Sequence, residues 1–69
     1  MEKGKLVKVI GGNNEIGQTK MIGKVGVITS IGEEYFVKGK KTREINVNFE
    51  HFGGHSFNDY HLEPITTKN

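Results

Sequence analysis

Residues 21–31 read MIGKVGVITSI, with two glycines three positions apart at the start of a run of β-branched residues. β-Branched residues favour extended backbone, whereas glycine permits a turn or a close approach between strands. We therefore predict that Gly23 ends a loop with a turn and that a side chain at Gly26 would clash with a neighbouring strand. A strand is predicted over residues 25–31, with Val25, Val27 and Ile31 on its inward face.

Further short strands are predicted on both sides of this one. They cover residues 6–10, 35–37, 44–50, 55–57 and 62–65, with turns at 32–34 and 52–55 and a charged hairpin tip at 38–43. The strict alternation of EINVNFE over residues 44–50 predicts that Ile45, Val47 and Phe49 point inward. Residues 58–60 are predicted to form a single 3₁₀ turn, and Pro64 fits a last strand at a sheet edge.

Few apolar residues are available to form the core of this fold, because only 33% of the chain is hydrophobic. Phe57 and Leu62 are predicted to be core residues, and Tyr60 to lie at the surface. The long polar segment at residues 11–23 is predicted to fold its apolar side chains back onto the core. These side chains are Ile16, Met21 and Ile22.

The chain contains ten glycines and no alanine, and no window shows an amphipathic helical stripe. Short strands separated by glycine-rich turns indicate an all-β fold of five or six antiparallel strands. A closed barrel is favoured, because closure removes the exposed edges of a small sheet. We expect the 69 residues to form one domain, 1–69, with its core over about 5–65 and a flexible tail at 66–69.

Several segments together resemble SH3-like small barrels. They are VKVI at 7–10, VGVITSI at 25–31, the hairpin ending in VNF at 47–49, and FNDYHLEPI at 57–65. VGVI at 25–28 resembles the glycine-centred strand of KOW-type domains and is similar to the small barrel protein of photosystem I and to Mib-type barrels. The resemblance implies a binding module, and KOW-type relatives imply nucleic-acid binding. The absence of tryptophan disfavours the recognition of proline-rich peptides.

Composition narrows the class of protein. Without cysteine there is no disulfide framework, thiolate zinc site or cysteine nucleophile, and a reducing cytoplasm suits such a chain. No apolar run is long enough for a membrane span or an export signal, so no membrane partner is expected. Residues 1–43 contain nine basic and four acidic side chains, whereas residues 44–69 contain one basic and four acidic side chains. This asymmetry predicts a polarised surface.

The leading functional hypothesis is a non-enzymatic binding module that acts as an adaptor, regulator or accessory subunit through a protein partner. Aromatic residues beside polar ones in a turn suit protein interfaces. The candidate partner-binding residues are Phe52, His55, Tyr60 and His61. The alternative is that these side chains cover a small core. We expect a monomer or a weak homodimer, since Pro64 hinders pairing at the last strand.

The second hypothesis is RNA or DNA binding by the basic hairpin. Small barrels bind nucleic acid through basic loops and exposed aromatic rings. The candidate residues are Lys20, Lys24, Tyr35, Lys38, Lys40, Lys41 and Arg43. Because neighbouring residues in a strand face opposite sides, either Tyr35 or Phe36 is expected to face solvent. The alternative is that the ring covers the open end of the barrel and the lysines are merely solvated.

Metal and catalytic sites are not expected, and no cofactor is predicted. His51, His55 and His61 lie within eleven residues, but their spacings do not place three ligands on one helical face. Ser56, His55 and Asp59 contain the residue types of a catalytic triad. Adjacent strand residues point to opposite faces, however, so His55 and Ser56 are not expected to meet.

Overall fold

The computed structural model describes residues 1–12 and 18–65. The strands are β1 Leu6–Val9, β2 Val25–Val37, β3 Lys40–Phe49, β4 Gly53–Asn58 and β5 Leu62–Pro64. A first 3₁₀ turn spans Gln18–Met21, and a second 3₁₀ turn spans Asp59–His61 between β4 and β5. No α-helix occurs in these two described ranges.

All five strands form one antiparallel sheet in the order β4-β3-β2-β1-β5. The predictions of an all-β fold, of five or six antiparallel strands and of a 3₁₀ turn before the last strand are therefore confirmed. β5 pairs only with β1, which leaves Pro64 on an edge strand as expected. Closure of the sheet into a barrel stays a prediction.

Among the described residues, the core is a single cluster of nine buried apolar side chains. They are Val7, Val9, Met21, Ile28, Ile45, Val47, Phe49, Phe57 and Leu62. The predicted inward face of β3 is confirmed, since all three of its apolar residues belong to this cluster. Phe49 and Phe57 pack edge to face, with ring centroids 6.0 Å apart, at the centre.

The inward face of β2 differs from the prediction. Val25 and Val27 are 47% and 39% exposed, and the inward positions belong to Gly26 and Ile28. A Cβ on Gly26 would lie 2.6 Å from Val47 Cγ1 and 2.7 Å from the Asn48 carbonyl oxygen. Because only glycine fits against β3 at this point, the flanking valines are turned to the outer face of the sheet.

The predicted turn at 32–34 is also wrong, because β2 continues through it to Val37. The pairing of β2 with β3 shifts register between Ile28 and Ser30 and again between Ile31 and Glu34. Such irregularities bend a strand and interrupt its alternation. Ile31 can therefore pair with Ile45 and pack against the core although it follows Ile28 by three residues.

Smaller differences concern the connections. Gly23 has a φ of 91°, which confirms its predicted turn, and Met21 is buried as expected. Ile22 is 50% exposed and does not fold onto the core, while Ile16 lies outside the described residues. The tail at 66–69 lies outside them as well. The turn predicted at 52–55 comes earlier in the chain, because β4 already begins at Gly53.

Candidate binding site at the β2–β3 ribbon

The distal parts of β2 and β3 form a two-stranded ribbon, here residues 34–43. The pairing of β3 with β4 ends at Glu44 and Asn58, so the ribbon extends beyond the third strand. Lys38 and Gly39 alone connect the two strands, with φ angles of 50° and 82°. Positive φ at both positions is the signature of a type I′ hairpin turn. Lys40, Lys41 and Arg43, predicted to lie in the hairpin tip, are therefore strand residues.

The cross-strand register divides the ribbon into two faces. Tyr35 is opposite Thr42, and Val37 is opposite Lys40, on what we call the inner face. Thr42 is only 2% exposed, which identifies this face as the one that packs against the rest of the molecule. The outer face carries the alternate pairs. They are Glu34 with Arg43 and Phe36 with Lys41.

Two side-chain hydrogen bonds join the inner face to the end of β4 and the second 3₁₀ turn, and a third bond connects Asn58 with Tyr60. The Thr42 hydroxyl donates to Asp59 Oδ1 at 2.5 Å, and the Tyr35 hydroxyl donates to Asn58 Oδ1. Asn58 Nδ2 in turn donates to the Tyr60 hydroxyl at 3.0 Å. These bonds fix the position of Tyr60 relative to the ribbon.

The Tyr35 hydroxyl acts here as a donor in its neutral form. Partial burial raises its pKa above the usual value of 10.0, and the negative charge of Glu44 raises it further. Both causes disfavour the phenolate. Tyr35 therefore keeps its proton, and with it the bond to Asn58, at physiological pH.

A groove of about 650 Å³ lies between the ribbon tip, the second 3₁₀ turn and the N-terminal residue. It is lined by Met1, Val37, Lys38, Lys40, Lys41, Asp59 and Tyr60. The Tyr60 side chain is 52% exposed, and the Asp59 carboxylate already accepts the Thr42 hydroxyl. The groove thus offers ammonium groups, an aromatic ring and aliphatic surface together.

The outer face of the ribbon carries two ion pairs, both made by Glu34. Glu34 pairs with Arg43 at 2.6 Å, from Oε1 to Nη2, and with Lys41 at 3.0 Å, from Oε2 to Nζ. Hydrogen bonds from Lys41 and then from Arg43 lower the pKa of Glu34 below its usual value of 4.5. Within the described chain, neither Lys38 nor Lys40 forms an ion pair. Lys38 and Lys40 therefore leave two ammonium groups without a counter-ion at the tip and in the groove.

The residues predicted to bind a protein partner divide into two groups. Phe52 and His55 lie at the turn between β3 and β4, where His55 Nε2 is 3.0 Å from the Phe52 carbonyl oxygen. Tyr60 lines the groove, and the half-buried His61 ring packs against it in a tilted arrangement, with the centroids 4.3 Å apart and an interplanar angle of 58°. A Cβ on Gly11 would lie 3.0 Å from His61 Cδ2, so His61 also covers the end of β1.

The residues predicted to bind nucleic acid also separate. Lys38, Lys40 and Lys41 line the groove, and Tyr35 lies on the inner face next to it. Arg43 is held on the outer face by Glu34. Two lysines lie elsewhere. Lys20 is exposed on the first 3₁₀ turn, and the Lys24 ammonium lies 4.3 Å from the centroid of the Phe52 ring.

The expectation that either Tyr35 or Phe36 faces solvent is met by Phe36, the most exposed large apolar side chain among those described, at 72%. Sequence reasoning did not assign three residues of the groove to a binding site. One of them, Val37, shares a face with Tyr35, which alternation along the strand would have indicated. Nothing in the sequence signals that Met1 and Asp59 reach the groove. Their contribution depends on the topology of the sheet.

The residues considered as metal ligands or as a catalytic triad do not come together in one site. In residues 1–12 and 18–65 no three His, Asp or Glu side chains are arranged to hold a metal ion. His55 contacts the Phe52 carbonyl oxygen, whereas the Ser56 hydroxyl donates to Asn46 on the other face of the sheet. The structure does not bring His55 and Ser56 together.

No helix in the described part of the chain is long and apolar enough to cross a membrane. Comparisons of the chain with protein-family models, with curated proteins and with solved structures gave no match.

Proposed function

We propose that the protein is a small, non-enzymatic binding module of the cytoplasm that takes an acidic segment of a protein partner into the groove beside Tyr60. One observation carries this proposal: the groove combines Lys38 and Lys40, which have no ion-pair partner among the described residues, with an exposed aromatic ring and aliphatic surface. Lysine ammonium groups attract carboxylates, and tyrosine is enriched in protein interfaces. Such a lining suits an extended segment with acidic and apolar side chains.

The free charge of the groove supports an anionic partner. Asp59 supplies the one carboxylate among the described residues of the lining, and this carboxylate already accepts a hydrogen bond from Thr42. Lys38 and Lys40 have no ion-pair partner among the described residues. Unpaired ammonium groups at an exposed site raise the association rate of a negatively charged partner.

The backbone at Lys38 supports a role for its charge. Its φ of 50° lies in the left-handed region, which costs a non-glycine residue about 1–2 kcal/mol. Asparagine or glycine is the preferred residue at this position of a type I′ turn. The presence of lysine despite this cost supports a use for its ammonium group at the tip of the ribbon.

We further propose that the sheet is an SH3-like barrel, as the resemblance of the sequence implies. The antiparallel order β4-β3-β2-β1-β5 and the 3₁₀ turn before β5 support this assignment. Small barrels serve many unrelated functions, so the fold alone does not identify the partner. The functional proposal therefore depends on the groove.

The experiment is an NMR titration of the labelled protein with a short Glu- and Leu-containing peptide. A Gln- and Leu-containing peptide of the same length serves as the neutral control. We expect the acidic peptide to shift the signals of residues 37–41 and 59–60, and the neutral peptide to shift them far less.

Variants of the groove residues test which side chains bind the peptide. Tyr60→Ala and the double change Lys38→Gln, Lys40→Gln should weaken binding. Lys20→Gln, on the first 3₁₀ turn, should not. The absence of shifts with the acidic peptide would contradict the proposal.

A second candidate function, binding of single-stranded nucleic acid, is favoured by Phe36. Its 72% exposed ring lies opposite Lys41 on the outer face of the ribbon. An exposed ring beside basic side chains provides a surface on which a base stacks. In this case affinity for an oligonucleotide falls steeply with salt, and Phe36→Ala weakens it. The change Lys40→Glu, Lys41→Glu should abolish it. Peptide binding in the groove would instead depend on Tyr60 and not on Phe36.

A further inference from the structure

A chain of hydrogen bonds runs from the inner face of the ribbon to the groove through the Asn58 amide. Asn58 Oδ1 accepts the proton of the Tyr35 hydroxyl, and Asn58 Nδ2 donates to the Tyr60 hydroxyl at 3.0 Å. An amide oxygen only accepts and an amide nitrogen only donates. The bond from Tyr35 therefore sets the direction of the bond from Asn58 to Tyr60.

The Tyr60 hydroxyl keeps its own proton in this arrangement. Its oxygen accepts from Asn58 Nδ2, and that nitrogen cannot take the hydroxyl proton in return. Within residues 1–12 and 18–65, no acceptor for this proton is present. Tyr60 is 52% exposed and lines the groove, so its O–H group is available to a bound molecule.

The surroundings of this O–H group favour an anionic acceptor. Lys38 and Lys40 line the same groove without an ion-pair partner in the described part of the chain. A hydroxyl and two ammonium groups can all donate, and an ionised carboxylate only accepts. A hydrogen bond to an ionised oxygen is roughly twice as strong as one between neutral groups. The groove is therefore better suited to a carboxylate than to an amide.

We infer that the Tyr60 hydroxyl donates its proton to a carboxylate oxygen of the bound segment, and that Asn58 and Tyr35 are positioning residues for this bond. The inference rests on the proposed function, because it names the group that recognises the acidic side chain of the partner. Lys38 and Lys40 supply charge on flexible stems. Tyr60, which is held by its neighbours, determines where along the groove the carboxylate is bound.

The Tyr60 ring is held in place before a partner binds. The His61 ring packs against it with 4.3 Å between centroids, and the hydroxyl of Thr42 donates to the preceding residue, Asp59, at 2.5 Å. A side chain that is already ordered loses little conformational freedom on binding. More of the energy of its hydrogen bond therefore contributes to affinity.

The experiment compares Tyr60→Phe with the wild-type chain in titrations with the Glu- and Leu-containing peptide and with its Gln-containing control. Phenylalanine keeps the ring and removes only the hydroxyl. We expect affinity for the acidic peptide to fall about tenfold, because a hydrogen bond to a charged group is lost. The preference for the acidic over the neutral peptide should shrink as well.

Two results of this comparison would be decisive in different ways. If Tyr60→Phe binds the acidic peptide as tightly as wild type, while Lys38→Gln, Lys40→Gln weakens binding, the inference is overturned and the proposed function stands. If the wild-type chain does not bind the acidic peptide at all, the proposed function fails, and the inference fails with it.

Variants of the positioning residues test whether they act through Tyr60. Asn58→Asp replaces the donor Nδ2 by an acceptor oxygen, which takes the Tyr60 proton from the partner. It should weaken acidic-peptide binding several-fold, and much less in the Tyr60→Phe background, where only its charge acts. Tyr35→Phe, which frees Asn58 Oδ1, should weaken binding to a smaller extent and only while the Tyr60 hydroxyl is present. Equal effects in the two backgrounds would overturn the positioning roles. Urea unfolding of each variant shows that it is folded before affinities are compared.

Discussion

At the scale of single residues, Gly26 has the clearest structural requirement. A Cβ at this position would lie within 2.9 Å of three atoms of β3, one of them a backbone oxygen. Backbone cannot move aside as a flexible side chain does, so the added methyl group strains the pairing of two central strands. We expect Gly26→Ala to lower the free energy of unfolding by about 1–3 kcal/mol in urea titrations.

Gly54 provides the matched control for this change. It also lies in a strand, but a Cβ there would meet nothing within 4 Å. Gly54→Ala should leave stability unchanged or raise it by a few tenths of a kcal/mol, because alanine restricts the unfolded chain. Equal destabilisation by the two substitutions would show that close approach is not the reason for glycine at position 26.

Thr42 is the second residue with a specific requirement. It is the one buried polar residue among those described, and its hydroxyl donates to Asp59 at 2.5 Å. Thr42→Val preserves the shape but removes the donor, so we expect stability to fall by about 1–2 kcal/mol. Thr29→Val, which removes a bond from an exposed hydroxyl to the Asn46 carbonyl oxygen, should cost much less. A Thr42 variant as stable as wild type would mean that this bond does not hold the second 3₁₀ turn.

Residue types predict some of these roles but not the orientation of every side chain. The prediction that Gly26 allows a close approach is confirmed by its position against β3. The prediction that Val25 and Val27 face inward is wrong. It gives core positions to side chains larger than that of Gly26, whereas only glycine fits against β3 at this point. A strand with apolar residues on both faces gives no signal of which face is buried.

At the scale of elements, the Lys38–Gly39 turn sets the position of the groove lysines. Asparagine tolerates the left-handed conformation better than lysine does. We expect Lys38→Asn to raise the free energy of unfolding by about 0.5–1 kcal/mol and, if the proposed function holds, to weaken acidic-peptide binding. Urea titration and the peptide titration measure the two effects separately. Gly39→Ala, at a φ of 82°, serves as the control that should destabilise the same turn.

Glu34 gives the ribbon a dependence on pH. Its pKa is lowered in the folded protein by Lys41 and Arg43, so its ion pairs stabilise the fold above the unfolded-state pKa. This contribution is lost as the pH falls through the lowered folded-state pKa. We expect Glu34→Gln to be less stable than wild type at neutral pH, with the difference shrinking as the pH falls below 4.5. High salt should reduce the difference as well. A difference that stays constant with pH would contradict the ion-pair explanation.

Strands with a regular alternation of apolar and polar residues are predictable from the sequence, whereas strands with register shifts are not. The alternation in β3 indicates its inward face correctly, and Pro64 indicates the edge position of β5. The predicted length of β2 is too short because Gly32, Glu33 and Glu34 are typical of a turn. In the structure they lie within the strand at a register shift, which pairing with β3 maintains.

At the scale of the whole molecule, the sheet divides into a multi-stranded body and a two-stranded ribbon. The centre of β3 pairs on both sides, whereas residues 36–41 have only one neighbouring strand. A two-stranded ribbon is marginal by itself, so its tip should open without global unfolding. We expect the amides of residues 36–41 to exchange with solvent far faster than those of residues 45–47 in hydrogen-exchange measurements. Equal protection would show that the ribbon and the body unfold together.

The candidate groove is beyond sequence reasoning for a topological reason. The sequence suggests two separate sets, one in the basic hairpin and one at residues 52–61. The path of the chain through β4 brings Tyr60 to the lysines and leaves Phe52 and His55 at another turn. Groups that are distant along the chain meet only when the strand order is known.

The crowded space over Gly26 also bears on how the strands find their partners. A segment with valines on either side of a glycine has no hydrophobic preference between two pairing frames. Slippage of β2 by one position would drive a valine against Val47 and Phe49, where there is no room for a Cβ. The absence of a side chain at position 26 thus favours the observed register, because a register shifted by one residue would place a valine side chain where there is no room.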